Sequence, residues 1–561
     1  MDYKKYIAQK IEIDGFSSEE IETFIEIPPE KSVGDYALPC FRFSRALKKA
    51  PNIIAQELKE KITPSGVIRE VQAVGGYLNF FLDRTAVSLD VVKEILDSGE
   101  KYGSQKVGEG KTVCIDYSSI NIAKPFHIGH LSTTVIGGAL YRIFNFLGYK
   151  AVGINHLGDY GTQFGKLIYA YKNWGSREEV EKGGIKELTR LYVDYHAKSE
   201  ENPAMDDEAR RYFKLIEEGD SECVELFNWF KEMTIKEVNK IYDLLDIHFD
   251  SYAGESFYND KMQVVVDELN AKNLLVESDG AKIVDLEEYN MPPCIILRSD
   301  GASLYATRDI AAAIYRKNTY DFYKCLYVVA YQQDLHFKQF FKTLELMGKT
   351  WAKDMVHVSY GMVSLEDGAM STRHGKVVLL EDVIRVCMEK ALKVIEEKNP
   401  SLENKEEVAK MIGTGAVIFG ALQNNKIKDI VFSYDKVLSF EGETGPYVQY
   451  TVARCNSVMA KSDVDYSEFN VTEVCDSEYN LAVALANFPS VVLSSAEKYE
   501  PSFVTRYAID VAKAFNRFYL DCKILNETGD RKKFRLALCD ATRITLKNAL
   551  SLLGIKTPER M

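Results

Sequence analysis

With 561 residues and 63.6 kDa, the chain is larger than one compact core organises, and at roughly 150 residues per domain it should form three or four units. A composition of 46% hydrophobic, 11% aromatic and 27% charged residues, with 35 Gly and 14 Pro, excludes collagen-like, low-complexity and disordered classes. The formal charge of -13 gives no chain-wide positive field, so a nucleic-acid partner must be met by a local patch.

At the N-terminus, Met1-Asp2-Tyr3-Lys4-Lys5 lacks the apolar centre of a signal peptide. Apolar runs read as well short of the ~20 residues that span a bilayer, so a cytoplasmic protein with no membrane partner is expected. Residues 1–105 mix short strands and helices. Pro51 suits a first helical turn, Ile53, Ile54, Leu58 and Ile62 follow at helical spacing, and Gly75 to Leu82 reads as a strand, which predicts a small α+β domain.

From Lys111 the pattern changes to a strand from Thr112 to Tyr117, a polar loop, an apolar helix from Leu131 to Leu147 closed by Gly148, and a second strand from Ala151 to Ile154. This βαβ unit should bind ligands beyond the carboxyl ends of its strands, which places a site between Asp116 and His130. Residues 177–275 are more charged and largely helical and read as an insertion. The α/β domain, 106–390, resumes with Cys294-Ile295-Ile296-Leu297 and Cys325-Leu326-Tyr327-Val328-Val329. Over 391–561, amphipathic stretches such as Phe503 to Leu525 and Lys532 to Leu553 predict a helical bundle. The predicted fold is a Rossmann-type parallel α/β domain carrying an insertion, between a small α+β domain and an all-α one.

Ten Cys are scattered with no C-x-x-C, which argues against a zinc ribbon, a redox pair or a disulfide framework. Neither G-x-x-x-x-G-K-[ST] nor a G-x-G-x-x-G between strand and helix is present, so the usual phosphate loops are excluded. In their place stands Asn121-Ile122-Ala123-Lys124-Pro125-Phe126-His127-Ile128-Gly129-His130. Two imidazoles three apart at a helix start suit a phosphate or a metal ion. A zinc site would need third and fourth ligands, and none lies nearby at ligand spacing. Gly129 between them would let a flat base approach the backbone.

The His127 to His130 segment resembles the His-Ile-Gly-His signature of class I aminoacyl-tRNA synthetases, whose second signature, Lys-Met-Ser-Lys-Ser in many members, has its match in Ala369-Met370-Ser371-Thr372-Arg373-His374-Gly375-Lys376. Asp116 to Asn121, Asn155 to Gly165, Leu304 to Asp309, Gly445 to Tyr450 and the terminal Pro558-Glu559-Arg560-Met561 narrow the resemblance to the arginyl-tRNA synthetases, in order and along the whole chain. The resemblance implies that ATP with Mg2+ activates L-arginine as arginyl-adenylate, which then passes to the 3' terminal ribose of tRNA(Arg).

On this resemblance, His127, His130 and Gly129 bind ATP with Met370 and Ser371, and Lys124, Arg373 and Lys376 supply cations. Asp116 and Asp309 accept from the substrate guanidinium, Tyr305 positions it, and Ser118, Asn121 and Gln333 complete the arginine site. A guanidinium offers five donors and no acceptor, so carboxylates are the residue type such a pocket needs. Two departures stand out. Ala369 and Thr372 replace the loop lysines, for which Lys124 can substitute, and Ser132 stands where the family tends to carry Arg. An anticodon site is implied near Tyr447 and Tyr450, whose helical spacing suits base stacking or core packing. Lys532, Lys533 and Arg535 suit phosphate contacts or a solvated face. Asn79 and Phe81 are candidates for base contact by the N-terminal domain, and Met561 is a further tRNA candidate. The alternative is a catalytically silent tRNA-binding paralogue, and a monomer with no zinc is expected.

Overall fold

The computed structural model describes residues 3–298, 305–365 and 378–561. Arg373, Lys376, Met370 and Ser371 therefore lie outside the described residues, as do Ala369 and Thr372. The chain divides into two compact units. One comprises residues 1–102, 451–489 and 510–548, and the other comprises 103–450, 490–509 and 549–561.

In the first unit, Tyr77–Leu82 is the central strand of a three-stranded antiparallel sheet, flanked by Tyr36–Pro39 and Ile68–Val74. Leu78, Phe80 and Leu82 alternate into the core, as period-two burial requires. Pro51 begins the helix Pro51–Lys61, where its missing N–H and fixed φ cost nothing. This N-terminal segment shares its unit with helices from the far end of the sequence. The Tyr102 hydroxyl donates to the Leu485 carbonyl at 2.9 Å, and the Asn548 amide donates to the Gly99 and Tyr102 carbonyls.

The second unit is built on a four-stranded parallel sheet in the order Met355–His357, Lys324–Tyr327, Thr112–Asp116, Lys150–Ile154. The chain leaves Thr112–Asp116 toward one neighbour and reaches the other only after the insertion, so the order reverses between Thr112–Asp116 and Lys324–Tyr327. Open α/β sheets bind ligands at the carboxyl ends beside such a reversal. The helix Leu131–Phe146 packs closely because Gly137 faces Tyr117; a Cβ there would lie 2.2 Å from the ring. The insertion forms three long helices, Arg177–Glu201, Ala204–Glu218 and Ser221–Leu245.

Two expectations need correction. Cys294–Leu297 does not continue the parallel sheet; it pairs antiparallel with Ala281–Val284, which pairs with Leu275–Ser278. A four-residue apolar run carries no register, and the hairpin just before it, turned at Asp279 and Gly280 with positive φ at both, offers the nearer edge. Second, Asp476–Glu497 is long and apolar enough by length and composition to cross a membrane. It folds as two helices, Asp476–Ala486 and Phe488–Glu497, with Leu481, Leu485, Phe488 and Val492 buried.

Candidate active site

The loop after Thr112–Asp116 is held in an unusual backbone shape. Ser118, Ser119 and Ala123 adopt φ of 66°, 42° and 58°, a left-handed conformation that costs non-glycine residues about 1 kcal/mol or more each unless the surroundings impose it. The surroundings do so. The Ser118 N–H donates to the Thr133 hydroxyl at 3.0 Å, and the Ala123 N–H donates to Thr234 of the inserted helix at 3.1 Å. Asn121 approaches Gly158 so closely that a Cβ there would meet its Oδ1 at 2.3 Å.

His127 and His130 stand at the end of this loop with ring centroids 4.0 Å apart. The Gly129 N–H donates to His127 Nδ1 at 3.1 Å, and the His127 N–H donates to His130 Nδ1 at 3.2 Å. With Nδ1 an acceptor on both rings, each neutral imidazole carries its proton on Nε2 and offers one N–H donor. Burial, then the neighbouring His127, pushes His130 down to about 3, and burial followed by Lys124 lowers His127. Both rings are thus neutral donors at neutral pH. Burial also lowers Lys124. These side chains open on a cleft of about 870 Å³ lined by Asn121, Lys124, His127 and His130, with His196 and Glu200 from the inserted helix Arg177–Glu201.

A second cluster, beginning at the carboxyl end of Thr112–Asp116, is acidic. Asp116 is buried, its Oδ1 accepting from the Ser119 hydroxyl at 2.6 Å and its Oδ2 from Arg316 at 2.7 Å. The carboxylate expected to face a substrate guanidinium is therefore already engaged by an internal one, and Nε and Nη1 of Arg316 are buried without a partner. Asp309 bonds His336 Nε2 at 2.7 Å; burial opposes protonation of that imidazole, yet the Asp309 hydrogen bond and charge prevail and raise it. Tyr305, one helical turn before Asp309, is exposed, as are Asn121 and Gln333. Ser118 is buried, with its hydroxyl bonded to Thr134 and Tyr242 instead of facing open space.

Glu255 carries no motif that would single it out in the sequence. Burial, reinforced by Asp309 and Asp159, pushes its carboxyl up to about 7, and Arg308 lies 3.5 Å away. His156 lies within the electrostatic reach of both Asp116 and Asp309 and is lowered chiefly by burial. His196 and Glu200, four apart on the helix Arg177–Glu201, share the face that lines the cleft, and the sequence reading did not single them out.

The remaining candidates are dispersed. Asn79 is buried in the central strand, and Phe81 is half-buried beneath Arg69. Tyr447 is half-buried and Tyr450 exposed on the helix Gly445–Met459. Met561 packs against the core cluster that includes Ala391, Ile395 and Ile412. Arg535 is no solvated cation but a buried one, bonded to Glu478 at 2.7 Å and Glu527 at 3.0 Å. Among the described residues, the metal-ligating types that gather are Cys475, Glu478 and Cys522, and there Glu478 is already bonded to Arg535 and the Cys475 N–H.

Comparison with known proteins matches three family models in succession: arginyl tRNA synthetase N terminal domain over residues 1–82, tRNA synthetases class I (R) catalytic domain over 91–434, and DALR anticodon binding domain over 448–561. The chain is 53% identical over 564 residues to an arginine–tRNA ligase of Alkaliphilus metalliredigens and 54% identical over 565 residues to one of Clostridioides difficile, covering 100% of both partners in each case. Its fold resembles the Thermus thermophilus arginyl-tRNA synthetase with a TM-score of 0.82 at 26% identity, covering 96% of each chain.

Proposed function

The chain belongs to the arginyl-tRNA synthetases, and from that premise we propose how its own residues divide the work of arginine–tRNA ligation. The enzyme joins arginine to tRNA at the expense of ATP. In the first step the arginine carboxylate attacks the α-phosphate and pyrophosphate leaves. In the second a hydroxyl of the terminal ribose attacks the acyl carbon and AMP leaves.

His127 and His130 donate from Nε2 to the phosphate oxygens on which charge grows in the first step. The observation that carries this reading is the pair of engaged Nδ1 atoms, which leaves each ring a single donor in a desolvated cleft, where such a donor is worth most. Neutral donors suit a group that must be released as pyrophosphate, because they stabilise developing charge without gripping the ground state as a fixed cation would. Lys124, in the same cleft, meets the triphosphate and takes the role left open by Ala369 and Thr372. Among the described residues lining that cleft, Glu200 is the one carboxylate, so Mg2+ would arrive on the phosphates of ATP.

Asp309 and Glu255 accept from the substrate guanidinium. Their resident partners are the ones that yield: His336 can lose a proton, and Arg308 stands 3.5 Å from Glu255. Asp116 is held to Arg316 and backs the pocket, while Tyr305, Asn121 and Gln333 supply its polar rim. Tyr450, exposed on the helix Gly445–Met459, and Tyr447 beside it stack on anticodon bases in this reading, and the reaction runs in the cytoplasm.

Pyrophosphate exchange with each amino acid, with and without tRNA, tests the assignment. Exchange with arginine alone among the amino acids is expected. Exchange driven equally by another amino acid would overturn the pocket, and none with arginine would favour the silent paralogue.

A further inference from the structure

We propose that Tyr242, on the inserted helix Ser221–Leu245, is a positioning residue for His130, acting through Ser118 and Thr134; this rests on the donor role given to His130 above. The contacts form one chain. Asn155 Nδ2 donates to the Tyr242 hydroxyl at 3.0 Å, Tyr242 and Ser118 hydroxyls lie 2.8 Å apart, Ser118 and Thr134 hydroxyls lie 2.9 Å apart, and the Thr134 hydroxyl donates to the His130 carbonyl at 2.7 Å.

The direction of every bond is fixed at its ends. An amide NH2 only donates, so the Tyr242 oxygen accepts from Asn155 and its own proton goes to Ser118. A carbonyl only accepts, so the Thr134 proton goes to His130 and the Thr134 oxygen takes the proton of Ser118. Hydrogen bonds aligned in this way polarise one another, and all four groups are buried: Asn155 and Thr134 at 0%, Tyr242 at 2% and Ser118 at 3% exposure. A second contact runs parallel to the chain. The Tyr242 ring meets Phe126 edge-on at 5.6 Å between centroids, and Phe126 stacks on His130 at 5.1 Å.

The same helix holds the loop at a second place, where Thr234 accepts from the Ala123 N–H and donates to the Phe230 carbonyl. Ser118 and Ala123, to which these hydrogen bonds run, are both in the left-handed conformation. The insertion thus imposes the loop shape that sets the His130 ring, and an active-site donor is held by residues more than a hundred positions away in sequence.

Tyr242→Phe removes the hydroxyl and keeps the ring packing, and Thr134→Val removes the last bond of the chain at nearly constant shape. Single-turnover adenylate formation, with saturating arginine, ATP and tRNA, should fall about tenfold in each, with the KM for arginine within about twofold of the parent. Thr134→Ser, which restores the hydroxyl, should return to within about twofold. In the His130→Ala background neither Tyr242→Phe nor Thr134→Val should lower the rate by more than about twofold, because residues that act through one group are not additive. Effects that multiply in full in that background, or a Thr134→Ser enzyme as slow as Thr134→Val, overturn the relay. If His130→Ala alone runs at the parental rate, the donor role is what fails. Thermal midpoints identify any variant that merely unfolds, and the Thr134 pair decides the matter if Tyr242→Phe does so.

Discussion

The two halves of the proposed site, one basic and one acidic, solve opposite electrostatic problems. At the end built from Lys124, His127 and His130, the basic groups are lowered by burial, and the charges that lower the two imidazoles further are those of Lys124 and His127. At the end built around Asp116, Asp159, Glu255 and Asp309, each carboxylate faces a resident cation or imidazole: Arg316, Lys231, Arg308 and His336 respectively. The first end is poised for an anion that arrives with the substrate. The second holds its carboxylates with internal cations, some fixed and some able to give way, and in the proposed function that difference separates the structural acids from the recognising ones.

If the nucleotide end acts only in the transition state, deleting a donor should alter the rate and leave arginine binding intact. His130→Ala or His127→Ala is expected to slow adenylate formation by about 100- to 1,000-fold with an unchanged arginine Kd. Parallel losses of rate and of affinity would show that the two ends are not separable. The converse change is Asp309→Ala, which removes a recognising acid and leaves His336 without its partner. Arginine affinity measured by calorimetry should fall by about 3 kcal/mol, roughly 150-fold. Unchanged affinity would make Asp309 a structural acid like Asp116.

Lys124 tests the nucleotide end differently. Lys124→Ala should reduce adenylate formation on the order of a hundredfold, and Ala369→Lys should restore part of that loss. In the parent the same Ala369→Lys change should add little, since two cations serving one charge are not additive. Strictly multiplicative effects in the four-protein cycle would mean that Lys124 and the loop act on different steps.

The two ends also differ in how far the sequence reveals them. His127 and His130 are legible because their contacts are local: a bond from one residue to another three away leaves its spacing in the sequence. The parallel strands Thr112–Asp116 and Lys150–Ile154 are legible for the same reason, through the helix that joins them. The acidic end is assembled from afar. Arg316 meets Asp116 across 200 positions, with nothing in the local pattern to announce it. Distance in sequence also hides two cysteine pairs, since Cys114 and Cys325 are register partners on adjacent strands and Cys475 lies 3.5 Å from Cys522, sulfur to sulfur. Glu255 reads in the sequence as an ordinary loop acid; its character comes from burial beside Asp309 and Asp159.

That character gives the smallest and most specific test. Burial first, then Asp309 and Asp159, raises the Glu255 carboxyl from its ordinary 4.5 to about 7, while Arg308 works the other way. A raised carboxyl stabilises the folded state fully below its ordinary value, and that stability is lost as pH rises through the folded value, so the free enzyme should lose this contribution between about pH 4.5 and pH 7. A guanidinium needs the ionised form. Binding arginine at pH 6 should therefore release a proton and be about tenfold weaker than at pH 8, since each pH unit below the carboxyl's value costs a factor of ten. His336, raised by Asp309, shifts arginine affinity in the same direction, because its deprotonation frees that acid for the substrate. Glu255→Gln separates the two: arginine binding should weaken at pH 8, and the part of the pH dependence centred near 7 should disappear while the His336 part persists. Calorimetry in two buffers of different ionisation enthalpy counts the released proton directly. A profile identical in Glu255→Gln and the parent would return Glu255 to the structural acids and leave Asp309 as the recognising carboxylate.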